Sequence, residues 1–184
     1  MQLSPSKIIV LDRDGVINQD SDAFIKSAEE WRPLDGSIEA IQQLKADGWR
    51  VAIATNQSGI KRGYYDRATL SAMHQKMHTL LAPYRIDWIS YSPYLGEDNS
   101  PARKPAVGMF QAIEQALNIS LQGAPMVGDT LADMQAAMAM QMQPYLVKTG
   151  KGERTLASQH PLLANIPLYD DLASVVQHLL KEKR

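Results

Sequence analysis

The chain contains no cysteine, which excludes disulfides, thiolate metal sites and thiol nucleophiles. Long apolar runs are missing as well. No stretch approaches the roughly 20 apolar residues that a membrane-spanning helix requires, and residues 1–6 are too polar for a secretory leader. Neither sign of charge dominates, since 19 Lys and Arg face 20 Asp and Glu for a formal net charge of -1. That balance argues against a nucleic-acid partner, which selects a basic excess or stripe. Internal repeats, low-complexity tracts and long linkers are absent too. The expectation is a cytoplasmic monomer with no membrane partner, its 184 residues forming one domain over 1–184.

What is present is an alternation of short apolar runs with helical spacing, the pattern of an α/β domain with a mainly parallel sheet. Strands are predicted at 7–11, 50–54, 88–92, 125–127, 144–147 and 166–169. Between them, apolar stripes recur at helical intervals. These are Ile38/Ile41/Leu44, Leu70/Met73/Met77/Leu80/Leu81, Phe110/Ile113/Leu117, Leu131/Met134/Met138 and Leu172/Val175/Val176/Leu179/Leu180. Gly48 suits the end of the first helix, and Pro105 suits the first turn of the third. Residues 93–101 read as a loop by composition.

In an open α/β sheet, ligands bind beyond the carboxyl ends of the strands. Those ends carry Asp12-Arg13-Asp14-Gly15, then Thr55-Asn56-Gln57-Ser58-Gly59, then Arg103-Lys104-Pro105, then Gly128-Asp129-Thr130 with Asp133. Carboxylates, a hydroxyl, amides and a cation at one rim are the groups that phosphoryl transfer on Mg²⁺ requires. Asp12 is placed to be nucleophile and metal ligand, and Asp14 to be general acid and base. The acid role predicts an Asp14 carboxyl shifted upward from about 3.9. Thr55 and the turn after it offer donors to a phosphoryl oxygen, and Lys104 offers positive charge. Asp129 is the natural third metal ligand, with Asp133 orienting it or a bound water from the helix behind. Taken singly, each motif is equally consistent with a solvated turn or a helix cap.

Their order along the chain resembles the haloacid-dehalogenase (HAD) superfamily. The first motif is matched by Val10-Leu11-Asp12-Arg13-Asp14-Gly15, the second by Thr55, the third by Lys104, the fourth by Gly128-Asp129 with Asp133. Within it, the chain resembles the branch of histidinol-phosphatases and heptose bisphosphate phosphatases. Residues 11–18, 55–60, Arg62-Gly63 and Arg103-Lys104-Pro105 look like the heptose enzymes. The resemblance implies a single Rossmann-like domain in three layers. It implies an aspartyl-phosphate on Asp12 and Mg²⁺ held by Asp12, the Asp14 carbonyl and Asp129. Phosphoryl contacts would come from Thr55 and Lys104, and substrate contacts from Asp20, Asn56, Gln57, Ser58, Arg62, Arg103 and Thr130. The implied substrate is a small phosphorylated sugar, a heptose bisphosphate on the way to lipopolysaccharide, with histidinol phosphate as its rival.

Two departures from the family stand out. Relatives hold a zinc through cysteines and a histidine before the Arg-Lys-Pro stretch, whereas residues 92–102 carry neither, so no zinc is expected and Pro93 and Pro101 are left to stiffen the loop. A lysine common after the fourth-motif Gly-Asp is here Thr130. The intervals 14–55 and 55–104 leave no room for a separate cap domain, so specificity falls to residues 19–31, Lys61, Arg62 and 93–103. His74 and His78 lack the glutamate of a zinc-hydrolase motif and read as solvated, while Trp31, Trp49 and Trp88 read as packing residues. The rival class is a receiver domain, which takes phosphate on an aspartate of a later strand than the first.

Overall fold

The computed structural model describes residues 7–181. Six strands form one parallel sheet: β1 Ile8–Leu11, β2 Arg50–Asn56, β3 Trp88–Ser92, β4 Pro125–Gly128, β5 Gln143–Val147 and β6 Leu168–Tyr169. Their spatial order is β3-β2-β1-β4-β5-β6. The chain therefore steps outward twice from β1, returns to β1's other side, and steps outward again. The reversal lies between β1 and β4, and a crevice opens there beyond their carboxyl ends.

Alternation along the strands divides the core into two layers. Ile9 and Leu11 face one side with Val51, Ile53, Val127 and Val147, against helices α1 (Ser37–Ala46), α2 (Arg67–Leu81) and α6 (Leu172–Lys181). Ile8, Val10, Ala52, Ala54 and Met126 face the other, against α3 (Gly108–Leu117) and α4 (Leu131–Ala139). All four side chains of β1 are buried, as a central parallel strand requires. Helix α6 shows the clearest amphipathic logic, with Leu172, Val175, Val176 and Leu179 buried.

Several edges differ from expectation. β2 runs on to Asn56, so Thr55 and Asn56 are strand residues, fixed by pairing with Tyr91 and Ser92 of β3. A 3-10 turn at Gly96–Asp98 lies within the stretch read as loop, and a short helix α5 (Gly152–Ala157) forms where the sequence pattern predicts no element. Pro105 is not in the first turn of α3, which begins at Gly108; the Lys104–Pro105 peptide is cis. Leu80, Met138 and Trp88 lie outside the core, at 42%, 51% and 42% exposure, because their positions turn away from the sheet or lie on its β3 edge. Between Asp14 and α1 the chain makes only turns and isolated bridges, and between β3 and α3 only that 3-10 turn.

Candidate active site

β1 ends at Leu11, and the amide of Asp12 still reaches across to the Val127 carbonyl of β4 at 2.9 Å. This extra rung places Asp12 beside the acids that follow β4. One carboxylate oxygen from each of Asp12, Asp129 and Asp133 lies within 4.8 Å of the others, and all three residues are buried. A single cation answers them. Lys104 Nζ stands 3.0 Å from Asp12 Oδ1 and 2.6 Å from Asp133 Oδ1, and donates to the Ala54 carbonyl of β2 at 2.6 Å. With all three carboxylates ionised, one ammonium leaves a formal charge of minus two in a largely buried crevice.

The protonation equilibria show the strain. Burial, then the Asp133 charge, pushes Asp12 well above the ordinary carboxylate range, with Lys104 pulling against them. Burial and the charges of Asp12 and Asp133 raise Asp129 as well. Lys104, which burial alone would lower, is raised instead because Asp12 and Asp133 hold its proton. Asp129 Oδ2 accepts from the Lys151 amide at 2.7 Å, but buried Oδ1 has no hydrogen-bond partner among the described residues. A hard divalent cation fits this donor set: carboxylate oxygens, one of them orphaned, with an uncompensated charge of two.

Asp14 faces elsewhere. Its carboxylate accepts from Arg13 Nη2 at 2.9 Å, Asn18 Nδ2 at 2.8 Å and Gln57 Nε2 at 2.7 Å. The expected upward shift is therefore corrected. Burial does push Asp14 up, but the Arg13 charge and the bonds from Asn18, Arg13 and Gln57 outweigh it, and the carboxyl lies below its usual value. Arg13 Nη1 also donates to His74 Nε2 at 3.3 Å. Burial, Arg13 and His78 push His74 down to about 3, so it packs neutral against the network and is not a solvated histidine.

The crevice above is a cavity of about 400 Å³ lined by Asp12, Asp14, Asp20, Asn56, Ser58, Arg103, Lys104, Asp129 and Thr130, among the residues singled out from sequence. Gln57 is buried beneath it, its amide N–H groups donating to Asp14 and, at 2.8 Å, to Thr55 Oγ1. Asn56 clamps Lys104 through paired bonds to the lysine's backbone amide and carbonyl, at 3.1 and 3.2 Å. Thr130 caps α4, donating to Asp133 Oδ2 at 2.7 Å. Asp133 thus spends its oxygens on Lys104 and Thr130 and braces the lysine more directly than it braces Asp129. Arg62 lies outside the lining, with its guanidinium 5.8 Å over the Phe24 ring. Its charge still helps lower Arg103, after burial.

Lys61 pairs with Asp98, and Arg103 Nη1 donates to the Tyr94 carbonyl at 3.0 Å, so polar contacts tie down the loop that prolines were expected to stiffen. Ser21, Asp22 and Phe24, which also line the cavity, belong to the 19–31 stretch to which specificity was assigned, whereas sequence reading missed Lys151. Lys151 Nζ pairs with Asp20 at 3.2 Å, placing a cation near Thr130. No strand-end rule marks such residues, although a lysine soon after the β5 end was a usable signal.

A family model described as polynucleotide kinase 3 phosphatase matches residues 7–143. The chain is 50% identical to the D-glycero-β-D-manno-heptose-1,7-bisphosphate 7-phosphatase of Pseudomonas putida, over 95% of this chain and 99% of that one. It is 48% identical to the Bordetella bronchiseptica enzyme of the same name, over 96% and 99%. The crystal structure of the B. bronchiseptica D,D-heptose 1,7-bisphosphate phosphatase, complexed with magnesium and phosphate, superimposes with a TM-score of 0.91, covering 96% of this chain and 99% of that one. The Burkholderia thailandensis phosphatase, 40% identical, gives 0.73 over 95% and 99%. Fold, acid cluster and relatives together define a phosphoric monoester hydrolase of the HAD type. Within that class, the chain belongs to the D-glycero-β-D-manno-heptose-1,7-bisphosphate 7-phosphatase family.

Proposed function

We propose that this single-domain protein removes the 7-phosphate of D-glycero-β-D-manno-heptose 1,7-bisphosphate, as a cytoplasmic, Mg²⁺-dependent monomer with no nucleic-acid partner. One observation carries the reading. Asp12, Asp129 and Asp133 converge at the sheet's reversal, Lys104 pairing with Asp12 and Asp133 and Asp129 Oδ1 left unpartnered, which makes a seat for a divalent cation and a phosphoryl group. The names of the relatives supply the sugar. Among the described residues no helix is long and apolar enough to cross a membrane, and the net charge of -1 offers little to a polyanion.

Asp12 Oδ1 is held by the Arg13 amide at 2.7 Å and by Lys104. The oxygen left free attacks phosphorus, and the P–O bond to the sugar breaks as the aspartyl-phosphate forms. Asp14 gives the departing alkoxide a proton and then takes one from the water that hydrolyses the acyl phosphate. Because Asp14 rests ionised, its first proton must arrive as the phosphate enters; a phosphate monoester, with a second pKa near 6, carries one in its monoanionic form. Lys104 and Thr55 stabilise the phosphoryl oxygens as charge spreads over them. Asp12, the Asp14 carbonyl and Asp129 would hold Mg²⁺, which would supply charge neutralisation between the carboxylates and the incoming phosphoryl group.

Arg103, with Arg62 behind it, offers positive charge to the second phosphate, and Asp20, Asn56 and Ser58 offer hydrogen bonds to hydroxyls. Gln57 and Thr130 act through the residues they hold. Phosphate release should be compared for the heptose bisphosphate and histidinol phosphate, with and without EDTA. A higher kcat/KM for the bisphosphate, lost with chelator and restored by Mg²⁺, is expected. Preference for histidinol phosphate would overturn the substrate assignment, and full turnover in EDTA the metal.

A further inference from the structure

The turn between β5 and α5 lies beyond residues 7–143 and contains none of the motif residues, yet it closes on the acid cluster at several points. The Lys151 amide donates to Asp129 Oδ2 at 2.7 Å. Thr155 Oγ1, buried in the first turns of α5, donates to the Asp129 carbonyl at 2.7 Å. Thr149 Oγ1 donates to the Gly15 carbonyl at 2.7 Å, tying the same turn to the loop after β1. Between these bonds the backbones of Gly15 and Gly150 touch, at φ +83° and +59°. A Cβ on Gly150 would lie 2.3 Å from Asp129 Oδ2 and 2.4 Å from the Gly15 Cα, and one on Gly15 would lie 2.1 Å from that same oxygen. Two glycines are needed here because their backbones pack directly on the carboxylate.

The consequence concerns the other oxygen. With its carbonyl, its Oδ2 and the floor beneath it all engaged, the Asp129 carboxylate is held in place beside Asp12 and Asp133, and Oδ1 is left without a partner of its own among the described residues. A free carboxylate there would swing to find a donor. We propose that Thr149 and Thr155, acting with the Gly15–Gly150 contact, are positioning residues that hold the Asp129 carboxylate in the cluster and thereby set its affinity for a divalent cation. Neither threonine lines the cavity above the cluster. The inference rests on the cluster being the Mg²⁺ seat. Groups that orient a metal ligand from behind commonly change affinity about 10–100-fold when removed.

The test is calorimetric titration of Mg²⁺ into the full chain, without substrate, for wild type, Thr149→Val, Thr155→Val and Thr155→Ser. Urea unfolding of each in EDTA reports stability without the metal. The valine variants should each bind Mg²⁺ about tenfold more weakly. Thr155→Ser, which keeps the hydroxyl, should stay within about twofold. Valine variants that lose stability in EDTA yet bind Mg²⁺ as wild type does would overturn the inference, leaving the hydroxyls a purely structural role. Wild-type protein that binds no Mg²⁺ would instead overturn the reading of the cluster itself.

Discussion

Lys104 and Asp133 form an ion pair that water does not reach, with Nζ 2.6 Å from Oδ1 and side chains only 2% and 0% exposed. Such pairs are poor sources of net stability, and without Asp133 the buried Lys104 would still keep Asp12 at 3.0 Å and the Ala54 carbonyl at 2.6 Å. Asp133→Ala also deletes the capping contacts with Thr130. Unfolding free energy from urea titration should fall by about 1–3 kcal/mol, through the lost cap and the lost charge-assisted bond. Asp133→Asn keeps part of the cap and should fall less. A loss below about 0.5 kcal/mol for Asp133→Ala would mean the crevice admits enough water to solvate the lysine.

Asp12 and Asp129 both bind protons more tightly in the folded protein than in the unfolded chain. Folded protein therefore carries extra protons above the ordinary carboxylate range, and stability must fall as pH rises from about 5 toward 8. The slope approaches 1.4 kcal/mol per pH unit for each extra proton bound. Melting in EDTA should show this decline. Mg²⁺ should reverse it, because deprotonated carboxylates bind the ion and its stabilisation grows with pH. Asp129→Asn should flatten the metal-free slope and raise stability at pH 8, as expected where a site holds like charges together for function. Metal-free protein that gains stability between pH 5 and 8 would contradict the arrangement.

Much of this site was readable from the chain because parallel sheets obey a placement rule. Asp12, Thr55 and Asp129 follow or end apolar runs, Lys104 comes after the loop that follows β3, and the reversal between β1 and β4 brings those ends together. What resisted reading is whatever depends on a neighbour distant in sequence. Asp14 was expected to be raised because its chemistry calls for a proton, but Asn18 and Gln57 converge on it only through folding. His74 lies 61 residues from Arg13, so no helical pattern could show that burial against a guanidinium keeps it neutral. Thr149 and Thr155 carry no motif at all, and their bonds reach back across the sheet.

Gln57 links the acid/base residue to the phosphoryl-binding threonine, donating to Asp14 at 2.7 Å and to Thr55 at 2.8 Å. Hydrolysis of the aspartyl-phosphate needs Asp14 ionised, and this N–H favours that form. Gln57→Met should therefore slow the hydrolytic step about tenfold and move its acid limb to higher pH. Single-turnover decay of the phosphoenzyme against pH is the measurement. An unshifted limb would show that Arg13 and Asn18 alone set the carboxylate.

Arg103 is a half-buried cation held next to another cation, Arg62, and its proton affinity falls through burial first and that repulsion second. Asp98 pulls the other way, but its carboxylate is already engaged by Lys61 and by the Leu95 amide. Two guanidiniums kept close without a dedicated carboxylate form an anion site that a ligand completes, and each charge-assisted bond there is worth about 1.5–3 kcal/mol. Arg103→Met should then lower kcat/KM for heptose 1,7-bisphosphate by roughly 10–100-fold. Turnover of p-nitrophenyl phosphate, which has no second phosphate, should stay within about threefold, because the acids and Lys104 that act on phosphorus are untouched. Arg62→Met should reproduce a smaller part of the same loss, since Arg62 stands outside the cavity wall. Equal losses on both substrates would place Arg103 at the transferring phosphoryl group and leave the second phosphate to Lys151, the remaining cation lining the cavity.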